Sequence, residues 1–357
     1  MKILIIALSG IGDAIMFTPA LQLLARQMPN AEIDILTMFK GVADIFERSE
    51  HITKVYNWDF VKQGAVRSLE FVRILRRNKY DVSITVFPAN RREYNIISFL
   101  IGARKRLGTD YLNMNKSSLP FLLTHRTKED DALHNVEENC RLVELLGVQV
   151  PNKILELHVD VLPEDEIPAQ TWLAKNLPAS EHQTIIGIHA GSATFKNQIN
   201  KRWDWKKYAD LSVQLHREYN AKILVFGGPE ERELNEQIVN ASSGTAILVS
   251  VPSLMASIAL MKRCSLFISN DSGLMHIAAA LQLPLVAIFG YTSHVHTRPW
   301  GVKHEVVRHD LPCSPCFYFS PRPAHCQFTG EDEFKCIRRI EVSEVLAACK
   351  RMMSNRV

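Results

Sequence analysis

The chain has 357 residues, long for one domain and comfortable for two. Apolar residues make up 46% and charged residues 22%, an ordinary globular composition in which each half can bury a core. A net charge of +4 is too mild for a dedicated nucleic-acid binder, and no run reaches the roughly 18 apolar residues a spanning helix requires.

The first apolar run, Met1 to Leu8, is broken at Ser9-Gly10 and again at Asp13, with no small-residue cleavage site before them. It reads as a buried strand rather than a signal peptide. Seven cysteines, an odd number without an export signal, point to reduced thiols in a cytoplasm. After the strand Lys2–Leu8, the apolar spacing predicts a helix over Gly12–Gln27 and a strand at Ile33–Leu36. A helix over Ser68–Arg77, a strand at Val82–Val86 and a helix over Leu133–Leu146 follow, the last closed by Gly147.

Pro151 to Thr184 carries Pro151, Pro163, Pro168, Pro178 and the acidic cluster Glu164-Asp165-Glu166, and reads as a junction. The pattern then restarts, with strands at Ile185–Ile188, Lys222–Phe226, Ser265–Ser269 and Leu285–Phe289. Helices over Trp205–Tyr219, from about Glu231, and over Gly273–Leu281 separate them, and Val342–Met353 forms a last helix. Alternating strands and helices imply two doubly wound parallel sheets. Ligands of such sheets sit beyond the carboxyl ends of the strands, so the loops that directly follow strands are the informative ones.

Four of these loops carry candidate chemistry. Ser9-Gly10-Ile11-Gly12-Asp13 allows close approach of backbone N–H groups, and Asp13 is placed either to accept a proton from an attacking hydroxyl or merely to complement a helix dipole. The third glycine of a dinucleotide fingerprint is missing, since Ile15 stands there. His189 to Thr194 offers small residues and hydroxyls, and Lys201-Arg202-Trp203 adds a cation suited to phosphate, against the alternative of a solvated basic loop anchored by Trp203. Gly227-Gly228-Pro229-Glu230-Glu231 offers carboxylates for ribose hydroxyls or ordinary first-turn acids. In Asn270-Asp271-Ser272-Gly273-Leu274-Met275-His276, Asp271 can cap a helix whose free N–H groups at Ser272, Gly273 and Leu274 can cradle a phosphate. His276 is a ligand contact or a buried structural histidine.

Together these segments resemble glycosyltransferase family nine, the ADP-heptose:lipopolysaccharide heptosyltransferases. The matching pieces are Leu8 to Asp13 with Thr18-Pro19-Ala20-Leu21, His189 to Ser192, Lys201-Arg202-Trp203, Gly227 to Glu231, Asn270 to His276, and Phe289-Gly290-Tyr291-Thr292. They run in family order along nearly the whole chain. Two departures are a longer stretch, Phe195–Asn200, before Lys201, and Tyr291 in place of the usual proline. The resemblance implies an α/β, GT-B fold of two Rossmann-like domains facing across a cleft. Residues 1–160 would bind the acceptor and 161–340 the nucleotide sugar, with 341–357 a helix packing back toward the N-terminal domain.

The resemblance also implies an inverting, metal-independent transfer of heptose from ADP-heptose to a lipopolysaccharide inner-core acceptor, with no cofactor required for catalysis. Asp13 looks like the catalytic base and Lys201 like the donor-phosphate contact. Ser192, Thr194, Glu231, Asp271, Ser272, Gly273, Leu274 and His276 look like the rest of the donor site, with Glu231 preferred to Glu230. Between Val61 and Thr109 eleven lysines and arginines face three acids. That excess suits an acidic acceptor and an anionic membrane face rather than a nucleic acid, since stacking aromatics are sparse. Gly12, Arg73, Arg76, Arg77, Arg91 and Arg92 are the acceptor candidates, and peripheral contact with the cytoplasmic face of the inner membrane is the expected location. Cys313, Cys316, Cys326 and Cys336 could hold a structural zinc or iron, or remain four free thiols. Competing readings are a GT-B enzyme for another sugar or acceptor, an NAD-dependent oxidoreductase using Asp34 near the second strand, and a nucleotide-sugar-binding module without turnover.

Overall fold

The computed structural model describes residues 1–112, 115–177, 184–317 and 324–354. Residues 1–160 form one compact unit and the described residues from 161 onward another. In the first unit the chain order is β1 (Lys2–Ala7), α1 (Ile11–Met16), α2 (Thr18–Gln27), β2 (Glu32–Thr37), α3 (Lys40–Phe46), β3 (Lys54–Asn57), α4 (Gly64–Arg77), β4 (Val82–Thr85), α5 (Arg92–Ile101), β5 (Lys105–Asp110), β6 (His125–Lys128) and α6 (Asn135–Glu144). All strands are parallel, in the order β3-β2-β1-β4-β5-β6.

The second unit runs α7 (Pro163–Asn176), β7 (Ile185–His189), α8 (Trp205–Tyr219), β8 (Lys222–Val225), α9 (Arg232–Ala241), β9 (Ala246–Leu248), α10 (Leu254–Met261), β10 (Leu266–Asn270), α11 (Gly273–Ala280), β11 (Leu285–Ile288), α12 (His294–Thr297), β12 (His304–Val307), α13 (Lys335–Arg338) and α14 (Val342–Ser354). Its sheet order, β12-β11-β10-β7-β8-β9, is again parallel and is the same winding read from the other edge. Both units are therefore Rossmann-like. The direction of winding reverses between β1 and β4 in one sheet and between β7 and β10 in the other, which is where such folds take ligands. The central strands are apolar on both faces, as parallel strands covered on two sides must be: Ile3, Leu4, Ile5, Ile186, Ile188, Ile268 and Val286 are fully buried.

Three local readings are revised. The helix expected over Gly12–Gln27 is two helices joined at Phe17. Pro19 has no N–H and its ring excludes a normal bond to the carbonyl four residues back, Ile15, which instead accepts from the Thr18 hydroxyl at 2.7 Å. The expected junction contains α7, with Pro163 in its first turn and the acidic cluster beside it; both favour a helix start. Gly147 does adopt a left-handed φ of 84°, but α6 ends at Glu144 and caps at Leu145. Within its own unit α14 packs against α8, β10, β11 and β12, and residues 355–357 lie outside the described residues. Among the described residues no helix is long and apolar enough to cross a membrane.

Gly187 shows how tightly the second sheet is filled. A Cβ built there would sit 2.5 Å from a ring carbon of Phe267 on the neighbouring strand and 3.0 Å from the Cys264 sulfur. The glycine lets the phenyl ring lie across β7. Gly187→Ala is expected to lower stability by about 1–3 kcal/mol through overpacking, read from the midpoint of urea denaturation at unchanged slope.

Candidate functional site

The loop after β1 and the loop after β4 meet at the switch point of the first sheet. The Ser9 hydroxyl donates to the carbonyl of Pro88 at 2.9 Å, and the Tyr94 hydroxyl donates to the carbonyl of Leu8 at 3.4 Å. Asp13, third residue of α1, is half-buried beside them. Burial is the main cause of the raised Tyr94 and Tyr111 phenols, and the negative charge of Asp13 adds to both. Asp13 is thus a carboxylate among phenols at the carboxyl end of the central strand, with Gly12 half-exposed beside it.

The arginines proposed for the acceptor fall into two groups. Arg91 and Arg92 open α5 directly after β4, on the Asp13 side, and the positive charge of Arg91 is felt by Tyr94. Helix α4 runs back against the strand direction, so Arg73, Arg76 and Arg77 in its last turns lie at the opposite edge, where the strands begin. Arg76 donates to the carbonyl of Leu100 near the end of α5 at 3.1 Å.

In the second unit the switch point is tied together by side chains. Asn270, fully buried at the end of β10, donates its amide to the carbonyls of Ala190 at 2.8 Å and Gly191 at 3.3 Å. Its oxygen accepts from the Trp203 N–H at 3.0 Å and the Tyr208 hydroxyl at 2.9 Å. His189, at the end of β7, lies 2.9 Å from the Ser272 hydroxyl through Nδ1 and 3.1 Å from Glu231 Oε2 through Nε2. Glu231 also accepts from the Gly228 N–H at 3.0 Å, and the Arg202 guanidinium stands 3.8 Å from its other oxygen. Burial pushes the Glu231 carboxyl up, but His189, the Gly228 N–H and Arg202 outweigh it and hold the group below its usual range. Glu230, by contrast, is exposed. Gly191 is required by this arrangement, since a Cβ there would meet Glu231 Oε1 at 1.7 Å.

Ser272, not Asp271, caps α11: its hydroxyl accepts from the Met275 N–H. Asp271 instead accepts from Lys201 Nζ at 2.8 Å, both side chains being largely buried. Burial alone would raise the Asp271 carboxyl; Lys201, His276 and a bond from Thr292 overcome it and hold the group low. His276 is buried, and burial pushes its pKa down to about 4 against the pull of Asp271, so the imidazole is neutral at physiological pH. Its Nδ1 has no partner among the described residues. Ser192 accepts from Arg202 at 3.2 Å and donates to the Gln198 carbonyl at 2.9 Å, whereas Thr194 is exposed. The structure therefore gathers Ser192, Lys201, Glu231, Asp271, Ser272, Gly273, Leu274 and His276 at one end of one sheet. Around the first turn of α11, N–H groups without intrahelical partners stand beside a buried ammonium, a combination that binds phosphate.

Residue type and spacing alone do not mark His189, Arg202, Asn270 and Thr292 as site residues. The signal available for His189 and Asn270 was their place as the last residue of a central strand. Asp34, the residue an oxidoreductase would turn to a ribose, is buried mid-strand and accepts from the Tyr80 hydroxyl at 2.5 Å. Cys313, Cys316, Cys326 and Cys336 line one small cavity with Tyr291, His325 and Phe334. Burial, and then the neighbouring thiols, raise Cys316 and push Cys336 up to about 11. Among the described residues no group of three or more His, Cys, Asp or Glu side chains is arranged to hold a metal ion.

Residues 68–322 match the glycosyltransferase family 9 (heptosyltransferase) profile, and the chain belongs to that family. Lipopolysaccharide heptosyltransferase 3 of Escherichia coli is 27% identical over 302 residues, 81% of this chain and 84% of its own length. Lipooligosaccharide heptosyltransferase 2 of Haemophilus ducreyi is 30% identical over 321 residues, 86% and 88%. The solved ADP-heptose LPS heptosyltransferase II of E. coli superimposes with a TM-score of 0.73 at 22% identity, covering 99% of this chain and 98% of that one, so the fold is that of the GT-B heptosyltransferases. The iron-containing dodecameric glycosyltransferase TibC from enterotoxigenic E. coli superimposes with a TM-score of 0.59 at 13% identity, covering 100% and 76%.

The buried ion pair makes a thermodynamic test. Lys201→Met leaves Asp271 without its cation and is expected to cost about 3–5 kcal/mol, most of it recovered in Lys201→Met/Asp271→Asn. In the wild type the depressed Asp271 pKa gives stability that is present above the unfolded carboxylate value of 3.8 and lost as pH falls through the folded value. In Lys201→Met burial dominates, the folded pKa rises, and stability falls as pH climbs from about 4 toward 7. Denaturation midpoints measured from about pH 2 to 7 separate the two windows: the wild type loses stability only at the acid end, below about 4, whereas Lys201→Met loses it as pH climbs above about 4.

Proposed function

We propose that this protein transfers a heptose from ADP-heptose to a hydroxyl of a lipopolysaccharide inner-core acceptor at the cytoplasmic face of the inner membrane. The transfer is a single inverting displacement that needs no metal. The observation that carries the reading is the buried Lys201–Asp271 pair at the first turn of α11. An ammonium held in place before any ligand arrives, next to unpaired N–H groups, suits a diphosphate that must leave with its negative charge.

In this reading Asp13 takes the proton of the acceptor hydroxyl as its oxygen forms a bond to the anomeric carbon. The bond from that carbon to the diphosphate oxygen breaks in the same step, and ADP departs toward Lys201 and the N–H groups of Ser272, Gly273 and Leu274. Inversion follows from one displacement. Glu231, oriented by His189 and Gly228, receives the ribose hydroxyls; Ser192, Thr194, Asp271 and His276 complete the donor site. Gly12, Arg91 and Arg92 stand on the acceptor side. The similarity to lipopolysaccharide and lipooligosaccharide heptosyltransferases supports this sugar and acceptor, and the likeness to the ADP-heptose LPS heptosyltransferase II of E. coli supports the donor.

A structural zinc or iron at Cys313, Cys316, Cys326 and Cys336 is a separate proposal. It is supported by their shared cavity and by the iron of a structural neighbour. The described side chains do not form a ready ligand set, and no step of the transfer runs through the cluster. Elemental analysis near one zinc or iron per chain would establish it, and purified, folded protein that carries neither metal retires it.

Transfer assays with ADP-heptose, UDP-sugars and GDP-sugars test the reading. ADP-heptose is expected to turn over and the others to fail; turnover with a different nucleotide sugar alone overturns the donor assignment. Asp13→Asn is expected to lower kcat roughly 10²- to 10⁴-fold with little change in donor KM. A folded Asp13→Asn enzyme with near-normal transfer removes Asp13 as the base.

A further inference from the structure

Helices α4 and α5 form the outer layer on one face of the first sheet. The chain passes from β3 to β4 and from β4 to β5 toward the same edge, so right-handed crossovers put both helices on the same side, opposite α1, α2 and α3. Their inner faces meet the sheet: Val72, Leu75, Ile97 and Ile101 pack with Leu4, Ile6 and Leu36. An ordinary amphipathic helix in this setting turns a polar face outward. Here the outward faces carry Val66 at 76% exposure, Leu69 at 39%, Ile74 at 54%, Ile96 at 36% and Phe99 at 47%. Between them stand exposed Arg67, Arg73, Arg77 and Arg92, against Glu70 and Glu93. Arg73 and Arg77 lie at the sheet edge opposite Asp13, which leaves them outside the reacting end of the acceptor domain.

We propose that the outer faces of α4 and α5 are a docking surface for an anionic phospholipid bilayer, with Val66, Ile74 and Phe99 entering the headgroup boundary and Arg73 and Arg77 pairing with lipid phosphates. The proposal rests on, and deepens, the reading of an enzyme acting at a membrane face. Bulky apolar side chains interleaved with guanidinium groups on one helical layer match such an interface on both counts: buried apolar area and positive charge toward a negative surface. A solvated charged face would not expose the aliphatic and phenyl groups, and a nucleic-acid groove would need stacking aromatics in place of aliphatics.

The test uses the full chain in flotation with phosphatidylcholine vesicles made with and without phosphatidylglycerol. Wild type is expected to float with the anionic vesicles at low salt, at least about tenfold more than with neutral ones, and to be weakened by high salt. Arg73→Gln/Arg77→Gln is expected to weaken binding roughly 30-fold, from the loss of two surface cations. Val66→Ser/Ile74→Ser/Phe99→Ser is expected to abolish the fraction that resists high salt while lowering the thermal melt only modestly, since Val66 and Ile74 are mostly exposed and Phe99, 47% exposed, loses its contact with the Arg106 guanidinium. The same apolar variant is expected to keep full transfer to a lipid-free acceptor. Equal binding to neutral vesicles, or unchanged binding in both variants, overturns the proposal. So does sedimentation showing a dimer that the apolar variant converts to monomer while vesicle binding persists, because the face then belongs to a second copy. Vesicle binding that persists in a protein inactive with ADP-heptose leaves the docking surface standing and removes the donor reading instead.

Discussion

The parallel sheet of the second unit imposes one constraint from which its site follows. At the point where the winding reverses, between β7 and β10, two strand ends point the same way, and their loops must diverge to opposite faces. The backbone groups exposed by that divergence need partners, and Asn270 supplies them. One side chain satisfies the carbonyls of Ala190 and Gly191, the N–H of Trp203 and the hydroxyl of Tyr208. All four carboxamide contacts are buried, where an unmade hydrogen bond costs more than a made one contributes. The loop after β7 is thereby fixed against the loop after β10, and everything in the candidate donor site hangs on that junction. His189 repeats the device one layer further out by joining Ser272 to Glu231, so the cap of α11 and the carboxylate ahead of α9 share a single imidazole.

Charge is then placed inside this frame at a cost that stability alone does not explain. A buried ion pair such as Lys201–Asp271 recovers at best the desolvation of its two partners, and an apolar pair of similar volume would hold the fold as well. What the pair does provide is an ammonium already dehydrated and fixed in position. In the proposed donor site an incoming diphosphate would compete for that ammonium, while Asp271 keeps Thr292 as a hydrogen-bond donor and a neutral His276 nearby. The same logic applies to Glu231, whose ionised state is secured by His189 and by the Gly228 N–H. Preorganised charge of this kind acts most strongly where water is excluded, which is the setting that the proposed departure of a diphosphate requires.

The sequence carried the central strands and the loops after them clearly, since buried parallel strands are continuous apolar runs and the loops are marked by glycine. It did not carry the outer strands. β3 reads Lys-Val-Tyr-Asn and β6 reads His-Arg-Thr-Lys; at a sheet edge such polar sequences are tolerated, and no apolar run announces them. Proline misled twice for one reason: in the first turn of a helix it marks a start, not an interruption or a linker. Pro163 opens α7 where a junction was read, and Pro19 opens α2 and so separates it from α1. Within the site, spacing identified the right loops but not their wiring. Asp271 and Ser272 are adjacent and both suited to capping; only three dimensions show that Lys201 claims the first and leaves α11 to the second.

The basic excess of the first unit shows the limit of counting charges along a chain. Eleven bases against three acids look like one patch in sequence, yet helix direction divides them. A helix that follows a strand begins at the strand's carboxyl end and finishes at the opposite edge of the sheet. Arginines that open α5 therefore share an edge with Asp13, and arginines that close α4 cannot. Fourteen residues of α4 span about 20 Å, more than an arginine side chain can bridge. An acidic acceptor bound at the Asp13 end of the sheet, as proposed, would have no use for charges that far behind it. A flat, extended negative surface does, because it meets a helix along its length rather than at its tip. The apolar side chains between those arginines fit the same geometry, since only a partner with an apolar layer beneath its charges would gain from covering both.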